Sequence, residues 1–593
     1  MANLVSPGYK ESKLINSILA PIEERTIEFK GINKKTILEE GEMSDMWNLT
    51  ADNYPVLTVR KPRGSVDLPA DVIRPVQMVR RFDKLGVIAI VTPDPNDPND
   101  NGVAFFYDGV RITQVTGLIP ESRAVAINNQ MCFFPDKTSV DITIDGVQAG
   151  TFKSLEASVK LASDTTVTIS NEDARITLPS GHGFKYDDAI NISGTIKYTP
   201  SGGSATTASV TVSCVVEEVV NTNTLVLPRE TFIELTGEGA TNVSLATNTM
   251  ITRTIPDMDY VVEWNNRLWG CSNDDNTIYA CKLGDPSNWQ YYQGTSLDSY
   301  YAQQGSDEKF TGIAEYSGHI IFFKPNSMTR VYGSAPSNYQ VTNTKAYGVE
   351  EGSSASVLTI NDTVFYKSSI GIMAYQGGIP FCISEKFNRK FKNVVAGTEG
   401  TKYYASCIIE DSDEVKGRLM VFDIAKGLWH MEDSLRFTSS CKVGNKVYYT
   451  TATAEILLCN TTVYCNTDLM VSSDYIEGDA GIINPDVPSE NYEDIEWMAQ
   501  FGPFDEYLEE HKIYSKLAMR LKANGVASAK VYISIDEGPW EQVENYETVS
   551  TKGDFIPIVP RRCDRYSVKI EGKGNFEVKS LTRRVRKGSF GRL

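Results

Sequence analysis

"GIAEYSGHIIFFKPNSMTRVYG", residues 312–333, carries the pattern that most of the chain repeats. A first apolar run ends at Ser317-Gly318, a second holds Phe322-Phe323 at its centre, and a third follows Pro325-Asn326. Period-two alternation between short polar turns reads as antiparallel β-strands. Gly and Asn at the turns supply the positive φ that tight hairpins require.

The same pattern returns at residues 85–113, 124–137, 260–292, 355–378, 403–432 and 439–460. The turns are Asn128-Asn129, Asn265-Asn266, Asn361-Asp362 and Gly444-Asn445. The second strand of a unit is often aromatic at its centre, as at Phe133-Phe134, Phe365-Tyr366 and Tyr448-Tyr449. Consecutive aromatics suit a strand buried on both faces. Units recur about every 35–50 residues, the spacing of propeller blades. A blade buries its faces against its neighbours and leaves only short edges. The fold expected is therefore all-β, a six- or seven-bladed β-propeller; two unrelated β-sandwiches are the alternative.

The repeat is interrupted once. From Gly150 to about Ile255 the composition shifts to Thr, Ser and Val, which reads as an inserted small β domain. Near the end, Val531, Ile533 and Ile535 alternate with Tyr532 and Ser534 along one strand of an expected C-terminal β-sandwich. The expected organisation is an N-terminal arm (1–27), a first propeller part (28–149), the insert (150–255), a second propeller part (256–480), the sandwich (490–585) and a basic tail (586–593). The segment 27–64 is expected to help close the ring with the last blade. Helical signals are short, at residues 9–24 and in "FDEYLEEHKIYSKL" (504–517).

The chain has 593 residues and a formal net charge of −18, which argues against an electrostatic grip on nucleic acid. The basic residues Arg583, Arg584, Arg586, Lys587 and Arg592 cluster at the end, as a solvated or docking tail. No apolar run of about 18 residues exists, so no membrane span is expected. The N-terminus lacks the pattern of a secretory signal, which points to assembly in the cytoplasm.

Chemistry is sparse. The 10 cysteines form no CxxC pair, and the closest, Cys459 and Cys465, lack zinc-site partners. The 4 histidines, His182, His319, His430 and His511, share no motif. The acidic turns at 94–101 and 273–276 offer oxygens for Ca²⁺ but lack EF-hand spacing, so they read as solvated turns. "SIDEGPW" (534–540) is one residue short of an Asp box and reads as a turn-stabilising element. No phosphate loop, nucleophile elbow or zincin motif occurs. The expectation is no catalytic, cofactor-binding or metal residue, no cofactor, and no enzyme.

"NNRLWGCSNDDNTIYACKLGDPSNW" (265–289) is the most specific stretch. Its pattern, Arg267-Leu268-Trp269-Gly270, then Ile278-Tyr279-Ala280, then Leu283-Gly284-Asp285-Pro286 with Asn288 and Trp289, resembles the bacteriophage packaged-DNA stabilisation or tail-nozzle family. The segments 41–64 and 555–583 add to the resemblance, which spans both sides of the insert; the insert departs from shorter members. The resemblance implies a structural virion protein of the tail, a propeller in a homo-oligomeric ring, usually a hexamer. It would lie below portal and adaptor, meet plug proteins and fibres or spikes, and let double-stranded DNA pass. Two alternatives remain. One is a tail propeller that binds or cleaves host surface glycan, which clustered exposed aromatics or paired carboxylates would favour. The other is a head-completion or tail-tip protein of a long-tailed phage. Trp269 and Trp289 are expected to pack within blades rather than to carry sugar.

Overall fold

The computed structural model describes residues 21–587 apart from 67–75, 83–85, 92–102, 107–110, 113–117, 120–121, 144–145, 148–151, 389, 412–413, 444–445, 452–455, 460–462, 465–469, 472, 476–491, 506–510, 524–526, 547–552 and 557. The turn at 94–101, Cys465, Gly444-Asn445, Arg592 and most of the N-terminal arm lie outside the described residues. The chain divides into two compact units, Met1–Arg81 with Phe365–Leu593, and Phe82–Val364.

The fold is all-β: a β-propeller with an inserted β domain and a β-sandwich. Among the described residues, seven antiparallel blades follow in chain order. The first runs Val76–Phe82, Gly86–Val91, Val103–Phe106 and Arg111–Ile112. The second holds Arg123–Ile127, Gln130–Phe134, Thr138–Thr143 and Lys153–Ser154, the third Tyr260–Trp264, Arg267–Ser272, Thr277–Ala280 and Tyr300–Gln303. The fourth is Gly312–Tyr316, His319–Lys324, Ser327–Tyr332 and Gln340–Lys345, and the fifth starts at Leu358 and ends at Phe381–Cys382. The sixth spans Phe391–Thr398, Lys402–Asp411, Glu414–Asp423 and Leu428–Met431. The seventh has three strands of its own, Ser439–Val443, Lys446–Thr450 and Ile456–Cys459. Its fourth is Gly64–Val66, from before the first blade.

The hairpin chemistry read from the sequence is present. Asn265 and Asn266 both have positive φ, 51° and 57°, and Asn128, Gly318 and Asn361 do the same at their turns. The aromatic centres Phe133, Phe322, Phe365, Tyr366 and Tyr449 are buried. Neighbouring blades share apolar layers: Trp269, Ile278, Phe310, Phe322 and Val331 form one between the third and fourth. Tyr404, Leu419, Val421, Phe437 and Tyr449 form another between the sixth and seventh.

The insert is a nine-stranded sheet from Ala157–Lys160 to Met250–Arg253, with a short helix, Glu230–Thr236. It closes on Ile176, Ile190, Ile192, Val210, Leu225 and Phe232. Its first and last strands pair, Ala157 opposite Arg253, so the chain leaves and returns at one place.

Three expectations are corrected. Of the segment 27–64, Gly64 does help to close the last blade, as the start of Gly64–Val66, and the Ile32 amide donates to the Trp429 carbonyl of the sixth blade at 2.8 Å, but two of its strands belong to the sandwich rather than to the first propeller part. Met43–Trp47 joins one sheet of the sandwich, beside Glu496–Phe504, and Leu57–Val59 joins the other, beside Phe576–Lys587. Edge strands offer unpaired backbone groups, and the N-terminal segment satisfies those of the C-terminal sheets. Second, "FDEYLEEHKIYSKL" holds no helix among its described residues: Lys512–Ala523 is a strand, its Tyr514, Leu517, Met519 and Leu521 buried. Third, Arg583 to Lys587 are not a solvated tail. They belong to the strand Phe576–Lys587, which pairs with Lys512–Ala523 and with Ile22–Thr26.

Arg583 is buried, donates to Glu40 Oε2 at 2.9 Å and to Thr26 Oγ1 at 3.1 Å, and lies 3.6 Å over the Phe504 ring. Further along, Arg63 pairs with Glu432 at 2.7 Å and with Asp433, so that the chain enters the seventh blade through a charge-satisfied joint. Gly31 (φ +79°) is required where the chain crosses the sixth blade: a Cβ there would sit 2.3 Å from the Trp429 carbonyl oxygen.

Burial would raise the Glu40 carboxyl, but the Arg583 guanidinium and Thr26 hydroxyl override it and hold it below its ordinary 4.5. The pair's contribution is therefore present at neutral pH and lost as pH falls through that lowered value. Arg583→Ala is expected to cost about 2 kcal/mol at pH 7, below the usual cost of breaking a buried pair because Glu40 is half in water. Hydrogen exchange of the Phe576–Lys587 strand measures it. Unchanged protection would reject the role given to the pair.

Candidate functional site

The motif stretch becomes an architectural knot. Arg267 is buried and has no carboxylate partner among the described residues. Its guanidinium donates to the carbonyls of Cys281 at 2.7 Å, Asp298 at 2.6 Å and Ser296 at 2.7 Å. These carbonyls belong to the loop that joins the last two strands of the third blade. The carbonyls that such a loop turns inward must find partners, and one guanidinium supplies several. Within the loop, Asp285 accepts from the Ser287 amide at 3.0 Å, and Trp289 Nε1 donates to the Pro286 carbonyl at 2.7 Å. Burial would raise the Asp285 carboxyl, but Ser287 and Asn288 hold it below its ordinary value. Asp298 accepts from the amides of Gln293 (3.0 Å), Gly294 (2.7 Å) and Thr295 (3.0 Å), closing a second turn.

The insert docks on this knot. Asn288 Oδ1 accepts from the Ala189 amide at 2.8 Å, and its Nδ2 donates to Asp188 at 3.2 Å. Lys282 pairs with Asp187, Asn191 with Gln290, and Arg253 with Asp188. Burial pushes the Asp188 carboxyl up, and Arg253 offsets part of that. The second blade adds Asn128, whose Nδ2 donates to the Gly284 carbonyl at 2.9 Å.

Trp269 and Trp289 are structural: both are buried, Trp269 against Trp264 at 5.8 Å and Tyr339 at 5.1 Å, Trp289 against Phe134 at 6.4 Å. The turn 273–276 spends its amides on the entry to the fourth blade. Asn273 Oδ1 accepts from the Phe310 amide at 2.6 Å, and Asn276 Nδ2 donates to the Gln304 carbonyl at 2.7 Å. In "SIDEGPW", Asp536 accepts from the amides of Asp564 and Arg565 at 2.7 and 2.8 Å, the turn-holding role expected of it. Among the described residues no three or more His, Cys, Asp or Glu side chains gather to hold a metal ion, and the described cysteines form no disulfide.

Sequence reasoning missed the outer face of the third blade. Tyr301 is 60% exposed and Tyr292 47%, their rings 5.9 Å apart and steeply inclined. Tyr279 stands directly across the strand pair from Tyr301, half-buried. Its hydroxyl donates to Asp275, and burial together with that carboxylate pushes it up to about 12. Leu297 is exposed in the same loop, and Tyr186 of the insert is 71% exposed. The aromatic pair is held by the knot: Tyr292 follows Tyr291, whose amide donates to the Ser299 hydroxyl at 3.2 Å, and Tyr291 is buried under Lys282. The signal available beforehand was only the density of tyrosine at 291, 292, 300 and 301.

No family model and no curated protein matches the chain. Solved structures similar to it include the exo-β-1,3-galactanase of Phanerochaete chrysosporium with galactose, at 9% identity and TM-score 0.20, covering 55% of this chain and 94% of that one. Kluyvelomyces marxianus Hsv2 follows at 8%, TM-score 0.23, with 43% and 68% covered. Citrobacter koseri AztD stands at 9%, TM-score 0.22, with 55% and 87% covered. The expectation of a chain that is no enzyme is corrected here, because glycoside hydrolases recur among the similar structures. At these scores the likeness assigns no reaction or substrate. No helix among the described residues is long and apolar enough to cross a membrane.

Arg267→Leu is expected to cost about 3 kcal/mol, since it leaves the buried carbonyls of Cys281 and Asp298 without their donor. Limited proteolysis within residues 283–299 should become faster. Unaltered cleavage and an unaltered unfolding midpoint would remove Arg267 from the centre of the knot.

Proposed function

We propose that the chain is a bacteriophage tail propeller that engages glycan of the host surface through the outer face of its third blade. The observation that carries it is the exposed pair Tyr292 and Tyr301, with Tyr279 and Asp275 beside it. Tyrosine rings offer flat apolar area for the C–H faces of sugars and hydroxyls for their polar edges. Asp275 and the amide of Gln303, which donates to the Asp275 carbonyl at 3.4 Å, add acceptors and donors at the rim. The tail setting rests on the resemblance of Arg267–Trp289, whose residues build the loop that holds the tyrosines.

A second reading is the ring-forming nozzle of the same tail, which closes and then conducts the genome-exit channel below portal and adaptor. It is favoured by the motif itself, because Arg267, Leu268, Trp269 and Trp289 are buried and serve architecture. The two are compatible: a nozzle presents its outer surface to the host.

The test is binding of the intact chain to purified host surface polysaccharide, with release of reducing ends followed in the same samples. Tyr301→Ala and Tyr292→Ala are each expected to weaken binding about tenfold, with the fold intact because both side chains face water. Polysaccharide binding that the double variant leaves unchanged rejects this surface. Electron micrographs of the purified protein test the nozzle reading, for which a six-fold ring is the expected result.

A further inference from the structure

A cavity of about 170 Å³ lies where the strand Met43–Trp47 meets the sixth blade. Its inner wall is apolar: Phe387, Phe391, Ile409, Met420 and Met431. Its remaining lining is Trp47, Arg418, and the ion pair of Lys34 with Asp45 at 2.6 Å. Arg418 differs from the other cations near the joint. It is half-buried, lies 5.0 Å over the Trp47 ring, and donates to the Gly417 carbonyl at 2.9 Å, yet it has no carboxylate partner among the described residues. Arg63, Lys386 and Lys402 each have one.

We propose that this cavity binds a small organic anion, an apolar body the size of one ring carrying a single carboxylate. Size follows from the volume, since an apolar cavity of about 150 Å³ accepts benzene. The charge follows from the sum at the site: Lys34 and Asp45 cancel, and Arg418 leaves one positive charge. A guanidinium fixed by stacking meets a carboxylate with two parallel hydrogen bonds. A dianion such as a phosphate monoester would meet Asp45 without a second free cation to balance it. Met420 and Met431 adapt the wall to different apolar bodies. The carboxylate can come from a free molecule or from the C-terminus of a peptide ending in an apolar residue, which offers the same chemistry.

The experiment is saturation-transfer NMR and equilibrium dialysis on the full chain with phenylacetate, benzyl alcohol, acetate, phenyl phosphate, and a peptide ending in phenylalanine as acid or amide. Phenylacetate should bind at least about tenfold more tightly than benzyl alcohol, acetate or phenyl phosphate, the margin of a charge-assisted pair. Arg418→Gln should remove that margin while leaving the unfolding midpoint in place, and Met420→Trp should abolish binding by filling the space. Competition by the peptide acid alone assigns the site to a chain terminus; its failure to compete assigns it to a free molecule. Phenylacetate that binds no better than benzyl alcohol, or equally well in Arg418→Gln, overturns the proposal. So does an absence of binding by every probe.

Discussion

The buried guanidinium of Arg267 is the constraint on which the third blade and its attachments depend. A loop that turns inward carries carbonyls away from water, and each must be paired or costs stability. Arg267 reaches the carbonyls of Cys281, Ser296 and Asp298 from one position on a central strand. With those fixed, Asn288 and Lys282 are set to receive the insert through Asp188 and Asp187. The same fixation turns Tyr291 inward and Tyr292 outward. Architecture and candidate binding surface thus share one cause.

The chain termini are handled by the same logic of satisfied edges. The N-terminal segment first pairs with the C-terminal strand Phe576–Lys587, then adds Met43–Trp47 to the second sheet of the sandwich, and finally gives Gly64–Val66 to the last blade. Each pairing removes an exposed edge. Between these stations the segment is charged, and several of its charges are matched: Glu40 with Arg583, Asp52 with Lys402, Arg63 with Glu432 and Asp433. Burial would raise the Asp433 carboxyl, but Arg63 and Arg60 hold it below its ordinary value. Against that background, Arg418 has no carboxylate partner among the described residues.

Much of the architecture was legible because it is local. Alternation of side chains at period two, and Asn or Gly where φ turns positive, specify hairpins from a few consecutive residues. Asn265 and Asn266 behave as their type requires, and the paired aromatics of the second strands are buried as central strands demand. Trp269 and Trp289 were readable as packing residues for the same reason. The Asp536 turn was readable too, since its partners lie in one neighbouring loop.

What the sequence by itself determined, then, is strand content, blade repeat and the position of the insert, all encoded within stretches of a few tens of residues. Only the tertiary structure decided where residues 22–59 pair, since Ile22 meets Val585 across almost the whole chain and no local pattern specifies that partner. It also decided that Arg583 is buried rather than part of a free tail, because burial depends on Glu40 and Phe504, each remote in sequence. The tyrosines show the limit most sharply. Tyr291 and Tyr292 are adjacent and chemically identical, yet one is buried and the other faces water. That difference comes from the carbonyl knot around Arg267, which exists only once the third blade is folded.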